Sequence, residues 1–325
     1  MMHDDEVAVT ADDVRRLLAA QRPELAALPV TPHAEAGTDH RLFLLGDASS
    51  PGGALLARLP RIGWAAEQAA SDARWLPRLA PHLPLAVPAP VAVGHPDGAY
   101  PFPWSIVPWL PGRAVGDPLG GKPLGFDAED GARALGAFVR ALRSLDPTDG
   151  PLKEGTSRGV PLERLDPAVR EALDAIAGST ASAPPVDVSA ADRAWERALA
   201  APPAPEPTWI HGDLLPGNLL AHDGALTAVI DWGALGVGDP AVDLCPAWWL
   251  FDGGPRVTFL AEATVGVPDD VAAAAVDRAR GWVLVQAAIA IPYYDERWPA
   301  FAAAARRRLA AVLADDDARR RWAGR

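Results

Sequence analysis

A change of character at Pro111 constrains this chain more than any other feature. Before it, apolar residues come in short runs cut by glycine and proline: RLFLL at 41–45, ALLARL at 54–59, and strand-like pieces at 91–93 and 104–107. After it come long alanine-rich segments of helical period, at 127–145, 162–177, 189–200, 271–290 and 299–314. Short apolar runs that close on glycine-rich turns suit a hairpin, so 41–45 and 54–59 are expected to pair. The proline-dense passage 77–111 suits edge strands and connectors, not central strands. A helix over 10–20 with Thr10 as N-cap, and another over 64–80 that breaks at Pro77, complete the first part. At 325 residues the chain exceeds the size at which one hydrophobic core stops growing. The expectation is an α+β fold. It has a small sheet-bearing lobe over 1–107, a hinge about 107–112, and a larger helical lobe over 108–325 carrying one hairpin.

Charge and composition narrow the partners. A net charge of -12 argues against nucleic acid and anionic membrane, both of which would repel the chain. The apolar stretch 282–291 is too short to span a bilayer, and the acidic start MMHDDE lacks the basic and apolar regions of a signal peptide. A single cysteine, Cys245, forms no internal disulfide and suits the reducing cytoplasm. The acidity is uneven. Residues 1–107 hold 12 acids against 8 bases, 108–305 hold 27 against 15, and 306–325 hold 3 against 7. The acidic helical lobe would attract a cationic small molecule, although carboxylates on solvated helix faces account for the excess equally well. Arg306–Arg308 and Arg319–Arg321 read as charge near a helix end and as a solvated tail.

The most informative segment is 209–243, WIHGDLLPGNLLAHDGALTAVIDWGALGVGDPAVDL. A loop presents Asp213 and, five residues on, Asn218; a turn at 222–224 follows, then an apolar strand that ends on Asp231. Phosphoryl transfer needs one carboxylate to orient an attacking hydroxyl and accept its proton. It also needs a carboxylate and an amide oxygen for magnesium on the nucleotide phosphates. Asn218 alone reads as a turn residue, and Asp231 alone as the start of a loop. Together, with spacing like the kinase H-R-D-x-x-x-x-N and D-W-G where kinases carry D-F-G, they point to chemistry.

With H-G-D-L-L-P-G-N at 211–218 and I-D-W-G-x-x-G-x-G-D-P-x-x-D-L at 230–244, the chain resembles the aminoglycoside phosphotransferase family. These are small-molecule kinases with a bilobal, protein-kinase-like fold, and the likeness extends to 74–94 and 280–294. It implies ATP or GTP as donor, Mg2+, Asp213 as catalytic base, and Asn218 and Asp231 as magnesium ligands. His211 and Asp243 would support the catalytic loop, and Asp239 would cap the helix that follows it. The family's strand lysine is missing, since Lys122 and Lys153 are the only lysines and both lie elsewhere. Arg58 is expected in its place, paired with Asp72; Glu67 is the rival partner. A loop at 37–40 containing Gly37 would cover the phosphates. In the hinge VPWLPG the prolines have no amide to give, which leaves the Trp109 and Leu110 amides for adenine.

The motifs specify the reaction and not the acceptor. An aminoglycoside-type acceptor comes first on charge; a macrolide, amino alcohol or sugar is equally compatible with the motifs. Asp252, Asp295 and Glu296 follow aromatic segments and are the expected substrate contacts, while Trp248, Trp249, Tyr293 and Tyr294 line a pocket or the core. A binding module that keeps the fold without turnover is the other class, supported only by the missing lysine.

Overall fold

The computed structural model describes residues 7–33, 40–47, 53–179 and 185–323. The chain divides into two compact units, Met1–Pro111 with Ala228–Gly233, and Gly112–Thr227 with Ala234–Arg325. Among the described residues no helix is long and apolar enough to cross a membrane.

The smaller unit is a sheet flanked by helices. Helix α1 (Ala11–Gln21) starts at a capping box: the Asp13 amide donates to the Thr10 hydroxyl at 3.2 Å, and the Thr10 amide donates to the Asp13 carboxylate at 3.0 Å. Such a cap stabilises by about 1 kcal/mol. Val14, Leu17 and Leu18 lie on one face of α1 and join a core with Phe43, Leu59 and Trp104. Strands β1 (Val30–Pro32), β2 (His40–Leu45) and β3 (Leu55–Pro60) run antiparallel, with Arg41 opposite Leu59. Helix α2 (Gly63–Leu79) packs on β3, and β4 (Ala92–Gly94) and β5 (Trp104–Pro108) complete the sheet in the order β1-β2-β3-β5-β4.

Two expectations about proline need correction. β5 is an inner strand between β3 and β4; Pro103 precedes it and Pro108 is its last residue, so the ladder between them keeps its donors. Pro77 does not break α2, because it sits in the last turn, where it removes one helical hydrogen bond. Residues 228–233 attach to this unit through the Val229 amide, which donates to the Ala86 carbonyl at 2.9 Å. Trp232 is buried there, its indole N–H donating to the Val229 carbonyl.

The larger unit is mainly helical. It contains β6 (Arg113–Ala114), α3 (Ala128–Arg143), α4 (Asp166–Ala177), α5 (Val188–Ala200), β7 (Thr208–Ile210), β8 (Leu219–His222), residues 225–227 of β9 (Ala225–Val229), β10 (Gly236–Gly238), α6 (Pro246–Trp249), α7 (Gly253–Ala263), α8 (Asp269–Tyr294) and α9 (Pro299–Ala323). α8 is apolar almost all round between Gly281 and Ile291, and it packs against α4, α5 and α9, which explains why. β6 pairs with β8, and β7 with β10, setting Ile210 opposite Gly236. Asp223 and Gly224 both adopt positive φ, +49° and +77°, and make the tight turn between β8 and β9. Arg306–Arg308 lie inside α9, not at a helix end as expected, because the helix runs on to Ala323.

Candidate active site

In the larger unit, β7 delivers the chain to His211, and a 3-10 turn, Pro240–Leu244, holds Asp243 beneath it. The backbone amides of His211 and Gly212 both donate to the Asp243 carboxylate, each at 2.7 Å. Burial pushes the Asp243 carboxyl up to about 7 while the two amides pull it down. Gly212 has φ +78°, and a Cβ there would meet the Ala234 carbonyl oxygen at 2.9 Å, so the loop needs glycine. His211 is fully buried and its Nδ1 accepts the Asp213 amide at 3.2 Å.

Asp213 is half-buried in this loop, with Arg158 paired to its carboxylate. Arg158 also donates to the Gly212 carbonyl at 3.4 Å. Asn218 ends a short 3-10 turn, and its Nδ2 donates to the Asp213 carbonyl at 2.8 Å and to Asp213 Oδ2 at 3.2 Å. Because its nitrogen makes both contacts, its amide oxygen stays available to a cation. Lys153 Nζ donates to the Ala234 carbonyl at 2.9 Å, and burial lowers the lysine's pKa. Its stem occupies space left by Gly236 and Gly238, where a Cβ would lie 2.4 and 2.8 Å from it.

Asp239 has a structural setting. Its carboxylate accepts the Ala241 amide at 3.0 Å, capping the 3-10 turn rather than the α-helix expected there. The same carboxylate takes two nitrogens of Arg278, at 2.8 and 3.0 Å. The three acids expected to meet the acceptor differ among themselves. Asp295 is engaged by Arg306 through two hydrogen bonds, at 2.7 and 2.8 Å, which hold it below the usual carboxylate range. Asp252 occupies the N-cap position of α7 and is exposed, as is Glu296. Trp248 and Trp249 are core, whereas Tyr293 is exposed. A groove of about 1400 Å³ runs among α4, α5, α8 and α9, with Asp295, Glu296, Arg306 and Arg307 on its wall.

In the smaller unit, Arg58 on β3 meets Asp72 on α2, Nη1 to Oδ2 at 3.0 Å. Glu67, the rival, points to solvent. Burial pushes the Asp72 carboxyl up to about 6 against the pull of Arg58, and its Oδ1 is buried without a partner among the described residues. Burial, then the charge of Arg58, hold the His40 imidazole down to about 3, so it stays neutral. Asp231 is exposed, has φ +60°, and accepts Gln68 Nε2 at 3.4 Å. Left-handed backbone in a non-glycine residue is uncommon and directs this carboxylate out of the strand line. The Trp109 amide is not free for a base as expected: it donates to the Ala54 carbonyl at 2.9 Å, extending the pairing of β3 with β5. Leu110 makes no such bond among the described residues. Gly37 lies outside the described residues.

Comparison with known proteins places the chain. It matches the phosphotransferase enzyme family, APH, over residues 30–275. The chain belongs to that family. None of the curated proteins matches it. Among solved structures, the macrolide 2'-phosphotransferase MphH from Brachybacterium faecium is 25% identical, with 92% of this chain and 97% of that one covered and a TM-score of 0.60. The aminoglycoside 2'-phosphotransferase-IIIa in its GDP complex is 17% identical over 95% and 100%, TM-score 0.64. A choline/ethanolamine kinase family protein from Mesorhizobium loti is 22% identical over 93% of each chain, TM-score 0.59. The fold is thus that of the protein-kinase-like phosphotransferases, and the reaction class is phosphoryl transfer to a hydroxyl.

Three residues that contact candidate site residues or their loops carry no sequence signal that reasoning could use. Arg158 stands in a loop far upstream of Asp213, Lys153 lies outside the strand where a lysine was sought, and Gln68 is one polar residue of a helix. Only the folded backbone sets them against Asp213, Ala234 and Asp231 respectively.

Proposed function

We propose that this phosphotransferase moves the γ-phosphate of ATP, or GTP, to a hydroxyl of a small molecule, with Mg2+ as cofactor. Asp213 orients the acceptor hydroxyl and takes its proton. The Arg158 guanidinium pairs with this carboxylate, and a loose transition state asks chiefly for orientation. The Asn218 amide oxygen and the Asp231 carboxylate are hard oxygen donors of the kind Mg2+ takes, and they fit that role. Bound magnesium would neutralise charge on the phosphates. Arg58, fixed by Asp72, grips phosphate with its planar fork in place of a lysine. The Leu110 amide is the donor left for the base. The buried Cys245 is in keeping with a cytoplasmic enzyme.

Whole-chain properties support two acceptor classes. The acid excess over 108–305 favours an aminoglycoside-type cation. The 25% identity to the macrolide 2'-phosphotransferase favours a bulky macrolide. Neither class draws on the charges next to Asp213.

The observation that carries the reading is the presentation of Asp213: Asp243 clamps the two preceding amides and Asn218 ties the carboxylate from the other side. The test is Mg2+-dependent nucleotide consumption with kanamycin, erythromycin, choline and glucose as acceptors, for the wild type and Asp213→Asn. Transfer that requires Asp213 is expected. Nucleotide binding with neither transfer nor hydrolysis would make the chain a binding module.

A further inference from the structure

Three consecutive arginines on α9 end differently. Arg306 meets Asp295 through two hydrogen bonds, and Arg307 meets Asp117 at 2.7 Å. Arg308 has no carboxylate partner among the described residues. Among the described residues the Nε atoms of all three are buried and unbonded, but of the three only Arg308 lacks a carboxylate on its outer nitrogens. Its guanidinium lies over the Trp249 ring at 5.5 Å and the Phe301 ring at 5.9 Å, two aromatic faces that hold a cation in place.

Trp249 is itself fixed to the loop that carries Asp213. Its indole N–H donates to the Leu214 carbonyl at 2.9 Å, one residue past the reacting carboxylate. One ring therefore registers Arg308 against Asp213. Asp117 and Asp213 attract the Arg308 guanidinium, and Arg307 and Arg158 repel it. Both carboxylates are already engaged, Asp117 by Arg307 and Asp213 by Arg158. Arg308 is thus left without a carboxylate of its own among the described residues. A half-buried cation without a counter-ion is costly, and a ligand anion removes that cost.

We propose that Arg308 recognises an anionic oxygen group, such as a carboxylate or phosphate, on the acceptor, so that the molecule phosphorylated is a hydroxylated anion. This rests on the phosphotransferase reading above. The anion belongs to the acceptor because Arg308 is registered to the residue next to Asp213, where the acceptor hydroxyl must arrive. A planar guanidinium suits such oxygens in a two-pronged contact. A polycation would meet Arg158 already paired to Asp213, and Asp295, one of the three acids expected to greet it, is taken by Arg306. The overall charge of -12 therefore does not describe the field at the reacting carboxylate.

The test uses gluconate and glucose 6-phosphate as anions, glucose as the neutral reference, and glucosamine and kanamycin as cations. Nucleotide consumption is read with Mg2+ and ATP, and calorimetric binding with a non-hydrolysable ATP analogue. At least one anion is expected to bind or react with a KM or Kd at least tenfold below that of glucose. Arg308→Gln should raise that constant tenfold, to the level of glucose, while the KM for ATP moves less than twofold. Arg308→Lys keeps a cation over Trp249 and should retain part of the preference, and it stands in if the glutamine variant does not fold. Preference for glucosamine or kanamycin, or indifference across the set, overturns the proposal. So does a rise in the KM for ATP in Arg308→Gln, which would assign the cation to the nucleotide. Nucleotide hydrolysis without binding of either anion sinks the inference and leaves the kinase reading standing. Absence of nucleotide binding and hydrolysis sinks both.

Discussion

Arg58 and Asp72 form an ion pair at 3.0 Å whose two ends differ in burial: the aspartate side chain is 1% exposed and the arginine 11%. The pair therefore has an inner anchor and an outer end that can reach a ligand. An arginine fork offers several N–H donors, and only Nη1 is used on Asp72.

The first prediction follows from that unused capacity. Arg58→Ala should weaken nucleotide binding about tenfold or more, close to 1.4 kcal/mol, in a titration with ATP and Mg2+. It should also lower the melting temperature, since Asp72 would be left buried and unpaired, and loss of one partner of a buried pair costs about 3–5 kcal/mol. A lower melting temperature with unchanged nucleotide affinity would leave Arg58 as a structural pair and nothing more.

Acidity supplies the second. Burial raises the Asp72 carboxyl from 3.8 to about 6, so the folded form holds a proton over a range where the unfolded form has lost it. The stability this confers is fully present below about pH 4 and is lost as pH rises through about 6. Asp72→Asn removes the titration. The melting temperature of the wild type should fall relative to that of Asp72→Asn between pH 4 and pH 7. A constant difference across that range would refute the raised value.

A third prediction separates the roles within the loop and strand. Asp213→Ala should lower kcat by about 10²–10⁴, with the KM for ATP within threefold of the wild type. Asn218→Ala and Asp231→Ala should instead raise the Mg2+ concentration needed for half-maximal activity about tenfold. If Asp213→Ala lost nucleotide affinity and kept its turnover, the assignment of the base would be wrong.

What could be read from the sequence was what local spacing determines. Asp213, Asn218 and Asp231 sit close together along the chain, so their chemistry shows in a short window; helices α3, α4 and α5 show in their period, and α1 in its Thr10 cap. Strands β1, β6, β7 and β10 are two or three residues long, too short to alternate visibly. The loss of the Trp109 amide to Ala54 depends on the register of β3 against β5, which no local pattern states. Arg158 reaches Asp213, and Arg306 reaches Asp295, through the path of the folded chain. The acid count of the helical segments missed that pairing, and so did the expectation that Asp295 awaits a cationic acceptor.

Asp239 provides the last prediction, because it stands in one motif with Asp231, which is assigned to the metal, and Asp243, which holds the loop. Its two oxygens are taken by the Nε and Nη2 of Arg278 and by the Ala241 amide, and the side chains of the pair are 10% and 6% exposed. Arg278 is further tied to the Pro202 carbonyl, so the pair joins α8 to the loop after α5 and to the turn bearing Asp243. Asp239→Ala leaves a buried guanidinium with its principal counter-ion gone, at a cost of about 3–5 kcal/mol. Replacing both members, Asp239→Ala with Arg278→Met, should recover a large part of that loss, since the buried charge leaves with its partner. Denaturant melts of the two single variants and the double variant give the coupling directly. The KM for ATP of the folded fraction should stay near the wild-type value in Asp239→Ala. A tenfold rise in that KM, with stability unchanged, would move Asp239 from the framework to the nucleotide.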